Sequence, residues 1–591
     1  MELTRKPFLI YQALRKFLIA SVFSAIAIQM AVIIDAIIVA NFVGPDAMSA
    51  INVCTPVAAI LVNVGYMVSM GSTLLISRAI GENNIERGSH IASVAIVMLT
   101  IFGLILAVTG YLLCDTLVSL LCSNDSIAGY AKTYLGLFFL LDLLPLFVYN
   151  AVCGFTEADG NPKVVTRAVI IGGIVNLGLD LLFVGVFHWG VAGAMYATVI
   201  NDLVVVAILC HHLYRHSKLR YRMPHKGFKK TARNILSEGV PLTVGEIALM
   251  AGLMVLNSVI IYTLGSSGMF IWSVCMEIFS LVLIAMSGVE TSMISIGGFL
   301  TGDQDITGLR LLVRYALRVV CLMLLLLTLA ILVAPQAVAM VFGARGADSI
   351  DTLSQALRIF SISLVPVGVM NVMRVVFQLL GHRFASGTLF TCQMLFMDVV
   401  IGAFAFISPD MVWWGFPISG VLMLLMMLCY TLYHHHRNPE LSPYTLVPMH
   451  APETSLDFSV PYQTDALKAS RLRIRDFVKK FPQMQERSND IMLTCEEIMK
   501  NIIENGKGHI LSKSFDVHLR SNDNQITFVI KDAGLAFNPL AHLPQSPLDM
   551  DDPHFGIRLM SSLCEDLSYK YMWGQNMLLG VFHSKPASVG E

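Results

Sequence analysis

The chain has 591 residues, of which 55% are hydrophobic and only 14% charged, and its mean hydropathy is +0.68. Soluble globular domains carry about a quarter of their residues as charges, so this composition excludes one and indicates an integral membrane protein. Lysine and arginine number 40 against 41 aspartates and glutamates, and the eleven cysteines include no Cys-x-x-Cys pair; these features disfavour a polybasic nucleic-acid binder, a zinc cluster and a disulfide framework.

Twelve apolar stretches precede residue 437, each long enough at about 20 residues to cross the roughly 30 Å hydrocarbon core of a bilayer. They fall at about 17–43, 53–77, 90–113, 132–153, 164–186, 190–214, 235–262, 268–290, 312–334, 355–380, 387–408 and 413–434. The first is too long for a signal peptide, lacks a small-residue cleavage site and is followed by eleven more. Basic residues cluster before it (Arg5, Lys6, Arg15 and Lys16) and after the sixth stretch (eight between Arg215 and Arg233), whereas the loops on the opposite side hold only Arg345. The positive-inside rule therefore places both termini in the cytoplasm.

The stretches repeat. Gly81-Glu82-Asn83-Asn84-Ile85, between the second and third, recurs 221 residues later as Gly302-Asp303-Gln304-Asp305-Ile306, between the eighth and ninth. Trp189-Gly190 recurs 225 residues later as Trp414-Gly415. Two halves of six spans, 1–215 and 233–437, point the same way, so an axis along the membrane normal relates them and a cavity lies between, an arrangement suited to alternating access.

A carboxylate in hydrocarbon costs at least about 2.5 to 3.5 kcal/mol, which makes intramembrane acids candidates for function. Asp35 lies in the first stretch and Asp180 in the fifth, with Asn176 one helical turn from Asp180, and Thr198 lies in the sixth. Their oxygens can take a proton or ligate Na+; equally, such groups can hydrogen-bond one another and pin helices together. In the second half, Glu246 follows Pro241, and Glu277 in the eighth stretch is placed to attract a cationic substrate. Arg374 and Asp398, on consecutive helices, read as a candidate buried pair. The 32 methionines read mostly as packing.

Residues 438–454 are polar and proline-punctuated, as a linker is. Beyond them the charge density doubles: positions 441–591 hold 33 charged residues, against 48 in the first 440. Helix-like patterns at 466–481, 489–504 and 554–563, strand-like patterns at 515–520 and 525–531, and a final hairpin make residues 455–591 an α+β sandwich. Glu497 and Asn501 share one helical face, a spacing that lets a carboxylate polarise a hydroxyl while an amide holds phosphate-bound Mg2+. Asp532-Ala533-Gly534 ends a strand, where its carboxylate can accept from an adenine amino group, and Phe555-Gly556-Ile557-Arg558 opens a helix whose amino terminus can cradle phosphate. No Gly-x-x-x-x-Gly-Lys-Ser/Thr loop is present, which argues against an ATP-driven pump.

Over residues 10–437 these features together resemble the multidrug and toxic compound extrusion (MATE) transporters: Ile34-Asp35 through Asn41 and Gly44, the Gly81-Glu82-Asn83-Asn84 loop, Gly160-Asn161-Pro162, Asn176 with Asp180, and Trp189-Gly190. The resemblance implies twelve transmembrane helices in two lobes and cation coupling at Asp35, Asn176, Asp180 and Thr198. It also implies export of organic cations or amphiphiles in exchange for H+ or Na+, with Glu246 matching a coupling glutamate of some members. The C-terminal set looks like the GHKL ATP-binding fold, most of all the anti-sigma-factor serine kinases. That likeness implies Glu497 as base, Asn501 as Mg2+ ligand, Asp532 as adenine reader, and Gly534 and Gly556 as points of close approach to ATP. The sequence departs from the pattern at Ala536, which replaces a glycine, and around Pro553-His554. The expected protein is a multi-pass cation-coupled exporter with a cytoplasmic nucleotide-binding regulatory domain and no nucleic-acid partner. The alternative is a membrane receptor whose transporter-like part controls a serine kinase acting on a cytoplasmic regulatory protein.

Overall fold

The computed structural model describes residues 3–121, 125–223, 227–505, 513–522, 524–542 and 555–584. Among the described residues, eleven helices are long and apolar enough to cross a bilayer. They are α1 (Phe8–Phe42), α2 (Pro45–Gly81), α3 (Ile85–Leu112), α4 (Ile127–Ala158), α5 (Pro162–Val186), α6 (Gly190–His216), α7 (Phe228–Gly302), α8 (Ile306–Val333), α9 (Ala347–Leu379), α10 (Arg383–Ile407) and α11 (Met411–Arg437). As one rod α7 would run about 110 Å. Instead it breaks at Gly265, whose φ of +67° favours glycine, and doubles back so that Trp272 Nε1 donates to Asn257 Oδ1 at 2.7 Å. Its two arms are the seventh and eighth spans, and the count of twelve expected from hydropathy holds.

The repeated loops are the same turn built twice. Asn83 and Gln304 both adopt a left-handed φ, of 58° and 60°. One residue on, Asn84 accepts from Arg87 N at 2.9 Å and Asp305 from Gly308 N at 2.7 Å, so each caps the helix that follows. The two turns also meet: a Cβ on Gly81 would lie 2.1 Å from the Phe299 carbonyl oxygen, and one on Gly302 would lie 2.1 Å from that of Arg78. This reciprocity is what a two-fold axis along the membrane normal produces. Glycine lets the helix backbones touch here, which shuts the two lobes against each other at the end carrying the chain's amino terminus.

Beyond α11, five antiparallel strands form one sheet in the order β1-β2-β3-β5-β4: β1 (Ser455–Pro461), β2 (Ser514–Asn522), β3 (Gln525–Asp532), β4 (Asp566–Met572) and β5 (Gln575–His583). The strand β1 is additional to the sequence reading; the tight β2–β3 turn, with Asn522 opposite Gln525, agrees with it. Alternate residues such as Phe458, Val517, Phe528 and Phe582 pack beneath α12 (Asp465–Val478), α13 (Ser488–Asn505) and α14 (Phe555–Leu563).

The opposite face of the sheet is charged, and it is buried as well, because it lies on the closed end of the bundle. Arg5 sits between Asp305 at 3.1 Å and Asp516 at 3.3 Å. Lys531 Nζ is 3.4 Å from Asp305 and 3.6 Å from Asp303. Arg520 donates to the Gly302 carbonyl at 2.6 Å, and His518 bonds the Asp303 carbonyl at 2.9 Å and Asp457 at 2.5 Å. Gln575 donates to the Leu9 carbonyl at 2.6 Å, and the Trp573 ring stands edge-on to Phe299 with centroids 5.3 Å apart. The four carboxylates of residues 303, 305, 457 and 516 balance Arg5, Lys531, Arg520 and a protonated His518. Pairing of this kind offsets the cost of removing charges from water.

Burial pulls the His518 imidazole down, but Asp303, Asp457 and Asp305 together outweigh it and push the group up to about 9. An imidazole released to water titrates near 6.5. The stabilisation from His518 is thus fully present below about pH 6.5 and is lost as pH rises through about 9. We expect the thermal midpoint of the docked domain to fall between pH 8 and pH 10 by roughly the few degrees that 1 to 3 kcal/mol represents. Calorimetry of the His518→Gln variant should give a lower midpoint and a flatter pH profile.

Candidate functional site

Between the lobes lies a cavity of about 370 Å³. It is lined by Tyr66 of α2, Tyr149 and Glu157 of α4, Glu246 and Glu290 from the two arms of α7, Asn371 and Arg374 of α9, and Phe390 of α10. The Arg374 guanidinium lies 2.5 Å from Glu290 and stacks 4.3 Å over the Phe390 ring. Three carboxylates thus share the cavity with one guanidinium. Towards the closed end, Arg78 of lobe one reaches the fully buried Glu238 of lobe two at 2.9 Å and donates to the carbonyls of Gln378 and Leu379 at 3.1 and 3.0 Å. Arg383 adds a second cation to Glu238 at 2.8 Å.

Of the two candidate cavity acids, Glu246 and Glu277, the first lines this cavity and the second is exposed and lies outside it. Thirteen residues, or about 20 Å of helix, separate Glu277 from Glu290, which does reach the cavity. The reading of Arg374 and Asp398 as a pair is corrected: Arg374 pairs with Glu290, and the Asp398 carboxylate packs over Gly252 with no hydrogen-bond partner among the described residues. Measured from the turn joining α9 and α10, Arg374 is seven residues deep and Asp398 about seventeen, an offset of about 15 Å along the bundle axis. Glu157 and Glu290 escaped the sequence reading because they fall at or beyond the edges of their apolar stretches and look like loop residues.

In lobe one, Asp35 and Asp180 face each other, and no basic side chain pairs with either among the described residues. Asn176, one turn from Asp180, is buried with its Nδ2 unpartnered. Immediately after Asp180 the helix widens to π winding over Leu181–Val186, a distortion common at functional sites. Thr198 donates to the Ala194 carbonyl at 3.1 Å, and Ala194 packs with Ile38 and Val39 of α1, so this face of α6 meets α1. A second acidic pair was not singled out from the sequence. Asp142 ends another π segment, Phe138–Asp142, and neighbours Asp202, which lies one turn from Thr198; both acids are buried. The available signal was a carboxylate inside an apolar run.

In the C-terminal domain, Glu497 and Asn501 are half-buried on one face of α13, while the adjacent Glu496 pairs with Arg471 at 3.3 Å. Asp532 accepts from Gly534 N at 2.7 Å and from Asn576 Nδ2 at 3.0 Å. Burial pushes this carboxyl up and the two hydrogen bonds oppose the shift. A Cβ on Gly534 would come within 2.7 Å of the Asp532 carboxylate, so a larger residue here would have to shift that carboxylate. Asn576 also accepts from Tyr569 Oη at 2.7 Å and from Phe537 N at 3.2 Å; neither Asn576 nor Tyr569 carried a sequence signal. Gly556 lies in the first turn of α14, and Pro553 and His554 fall outside the described residues.

The MatE family model matches residues 20–182 and 241–400. The chain belongs to the MatE family. A histidine kinase-like ATPase domain matches residues 460–579 of this MatE protein, which is a multi-pass membrane protein with the MATE fold followed by an ATPase-like α+β domain. It is 24% identical over 227 residues, 38% of its length, to a probable multidrug resistance protein YpnP of Bacillus subtilis (strain 168), covering 51% of that protein. It is also 24% identical over 196 residues, 33% of its length, to the multidrug export protein MepA of Staphylococcus haemolyticus (strain JCSC1435), covering 43% of that one. The chain thus spans about half the length of the curated relatives it matches. In fold it is similar to a MATE crystallised in complex with MaL6, at a TM-score of 0.66 and 19% identity over 71% of this chain and 94% of that one. It is likewise similar to an outward-facing MATE family transporter of the MOP superfamily, at 0.65 and 20% over 72% and 97%.

Removing one member of a buried ion pair strands the other. Arg374→Met should therefore destabilise the protein by about 3 to 5 kcal/mol, and adding Glu290→Met should recover most of the loss. Thermal midpoints of the three proteins in detergent would check this.

Proposed function

We propose that this MatE protein is a cation-coupled antiporter that exports organic cations or related amphiphiles in exchange for H+ or Na+. Both termini and the ATPase-like domain lie in the cytoplasm. The observation that carries the reading is the Asp35–Asp180 pair: two facing carboxylates, Asp180 buried and Asp35 half-buried, with no basic partner among the described residues. Two such charges about 4 Å apart repel by roughly 4 kcal/mol at an effective dielectric constant of 20. A proton or Na+ relieves this repulsion, with Asn176 and Thr198 supplying further oxygens, and favours whichever arrangement of α1, α5 and α6 closes around it. Exchange then requires only that coupling ion and substrate favour different states of the two lobes. Glu246, Glu157 and Glu290 line the cavity where a cationic substrate would sit; Glu277, exposed on the second arm of α7, stands nearer the far opening.

Asp180→Asn removes one of the two charges and should abolish accumulation of ethidium by inside-out vesicles driven by a proton or Na+ gradient, leaving protein abundance unchanged. Wild-type uptake that the substitution leaves intact would overturn the assignment of this pair. In the C-terminal domain, Asp532 and Gly534 would hold adenine, Asn501 the Mg2+ of bound ATP, and Gly556 the phosphates, so that nucleotide regulates transport. Full-length protein should bind Mg-ATP, and Asn501→Ala should weaken binding at least about tenfold, close to 1.4 kcal/mol, in equilibrium dialysis.

A second reading is supported by the placement of Glu497 with Asn501 on one face of α13. In it the domain is a serine kinase, with Glu497 as base, acting on a cytoplasmic regulatory protein under control of a ligand-sensing membrane part. Ethidium transport that is absent in the wild type, together with phosphate transfer lost in Glu497→Gln, would favour it.

A further inference from the structure

One face of the sheet packs beneath α12, α13 and α14, which leaves its far face for another purpose. Here that face is occupied by the same chain, and it touches both lobes. On the lobe-two side it holds the turn at Gly302-Asp303 through His518 and Arg520. On the lobe-one side, Asn83 of the matching turn donates to Asp566 of β4 at 3.3 Å. The hairpin joining β4 and β5 reaches furthest. Trp573 at its tip directs its backbone N–H at the Gly160 carbonyl of lobe one, at 3.4 Å, while its ring meets Phe299 of lobe two. Trp573 is buried and holds a φ of +54°, a strained conformation for a bulky residue that persists only where its surroundings enforce it.

We propose that the C-terminal domain is a latch on its own transporter, spanning the closed cytoplasmic end of both lobes with Trp573 as its catch, and that nucleotide at Asp532 releases it. The two lobes cannot part at this end while one residue is wedged against Gly160 and Phe299 and the sheet grips both copies of the repeated turn. The coupling to nucleotide is short. Asn576, three residues from Trp573 and next to Gln575 with its bond to Leu9, is the partner of the Asp532 carboxylate. Asp532 Oδ1 accepts from both Asn576 Nδ2 and Gly534 N; an adenine amino group drawn to the same carboxylate competes with the Asn576 amide and so disturbs the hairpin that bears the catch. This second half rests on the domain binding nucleotide as proposed above; the latch itself does not. The face that would otherwise be free to bind a second copy or a regulatory protein is spent on the transporter.

Hydrogen–deuterium exchange of the full-length protein in nanodiscs tests both halves. Trp573→Ala should raise exchange in peptides covering 78–88 and 298–308 about tenfold, Gln575→Ala should do so to a lesser degree, and Trp573→Phe, which keeps a ring against Phe299, should stay near wild type. Unchanged protection of α13 in each variant reports that the domain remains folded. Mg-ATP added to wild type should accelerate the same two peptides, and Asn501→Ala should abolish the response to ATP while leaving the response to Trp573→Ala intact. If neither Trp573→Ala nor Gln575→Ala alters exchange at the two turns, the latch is wrong. If wild type binds Mg-ATP in dialysis but the turns exchange unchanged or more slowly, release by nucleotide is wrong. Failure to bind Mg-ATP at all would overturn the nucleotide reading and release by nucleotide together, with the latch still decided by the Trp573→Ala result.

Discussion

A charged or polar group taken out of water must find a partner, and this requirement shapes both halves of the protein. In the bundle it draws Arg374 onto Glu290 and Arg78 onto Glu238, across helices far apart in sequence. At the sheet it gathers Arg5, Asp303, Asp305, Asp457, Asp516, His518, Arg520 and Lys531 into one buried, balanced cluster. Apart, the bundle side (Arg5, Asp303 and Asp305) would be left net negative and the sheet side (Asp457, Asp516, protonated His518, Arg520 and Lys531) net positive. Joined, they make the domain and the bundle a single packed body in which Phe299 and Trp573 continue the same apolar core.

Where the requirement is met by cations within the protein, the result is rigid; where it is not, a place is left for something mobile. The half-buried Asp35 with the buried Asp180, and the buried Asp142 with Asp202, are acids in lobe one with no basic partner among the described residues. In lobe two, Arg374 holds Glu290 at the cavity and Arg78 and Arg383 hold Glu238 towards the closed end, while Asp398 is left without a hydrogen-bond partner among the described residues. The seam that closes the cavity is built from backbone contact at Gly81 and Gly302, which no larger residue would permit.

Much of the fold was legible in the chain because its signals are local. The twelve spans follow from apolar runs whose length matches a bilayer, and the repeated turn follows from one short pattern written twice. The sandwich strands follow from alternation that places Phe528 and Ile530 on one side of β3 and Val529 and Lys531 on the other. Asp35, Asn176 and Asp180 could be named because a carboxylate within an apolar run is conspicuous. Glu290 and Glu157 could not, since at a span edge an acid has no local cost. Asn576, which holds Asp532, and Tyr569, which holds Asn576, lie about forty residues from Asp532 in the chain and come near it only across paired strands.

By itself, then, the sequence determined the membrane class, the two-lobed repeat, the extra domain and the acids that no hydrocarbon tolerates, because each rests on composition or on spacing within one helix or strand. Only the tertiary structure decided which charges pair: that Arg374 meets Glu290 and leaves Asp398 aside, that Glu277 stays outside the cavity, and that the polar face of the sheet is buried on the bundle. Pairing depends on depth along the bundle axis and on docking between elements hundreds of residues apart, and neither quantity has a local trace in the chain.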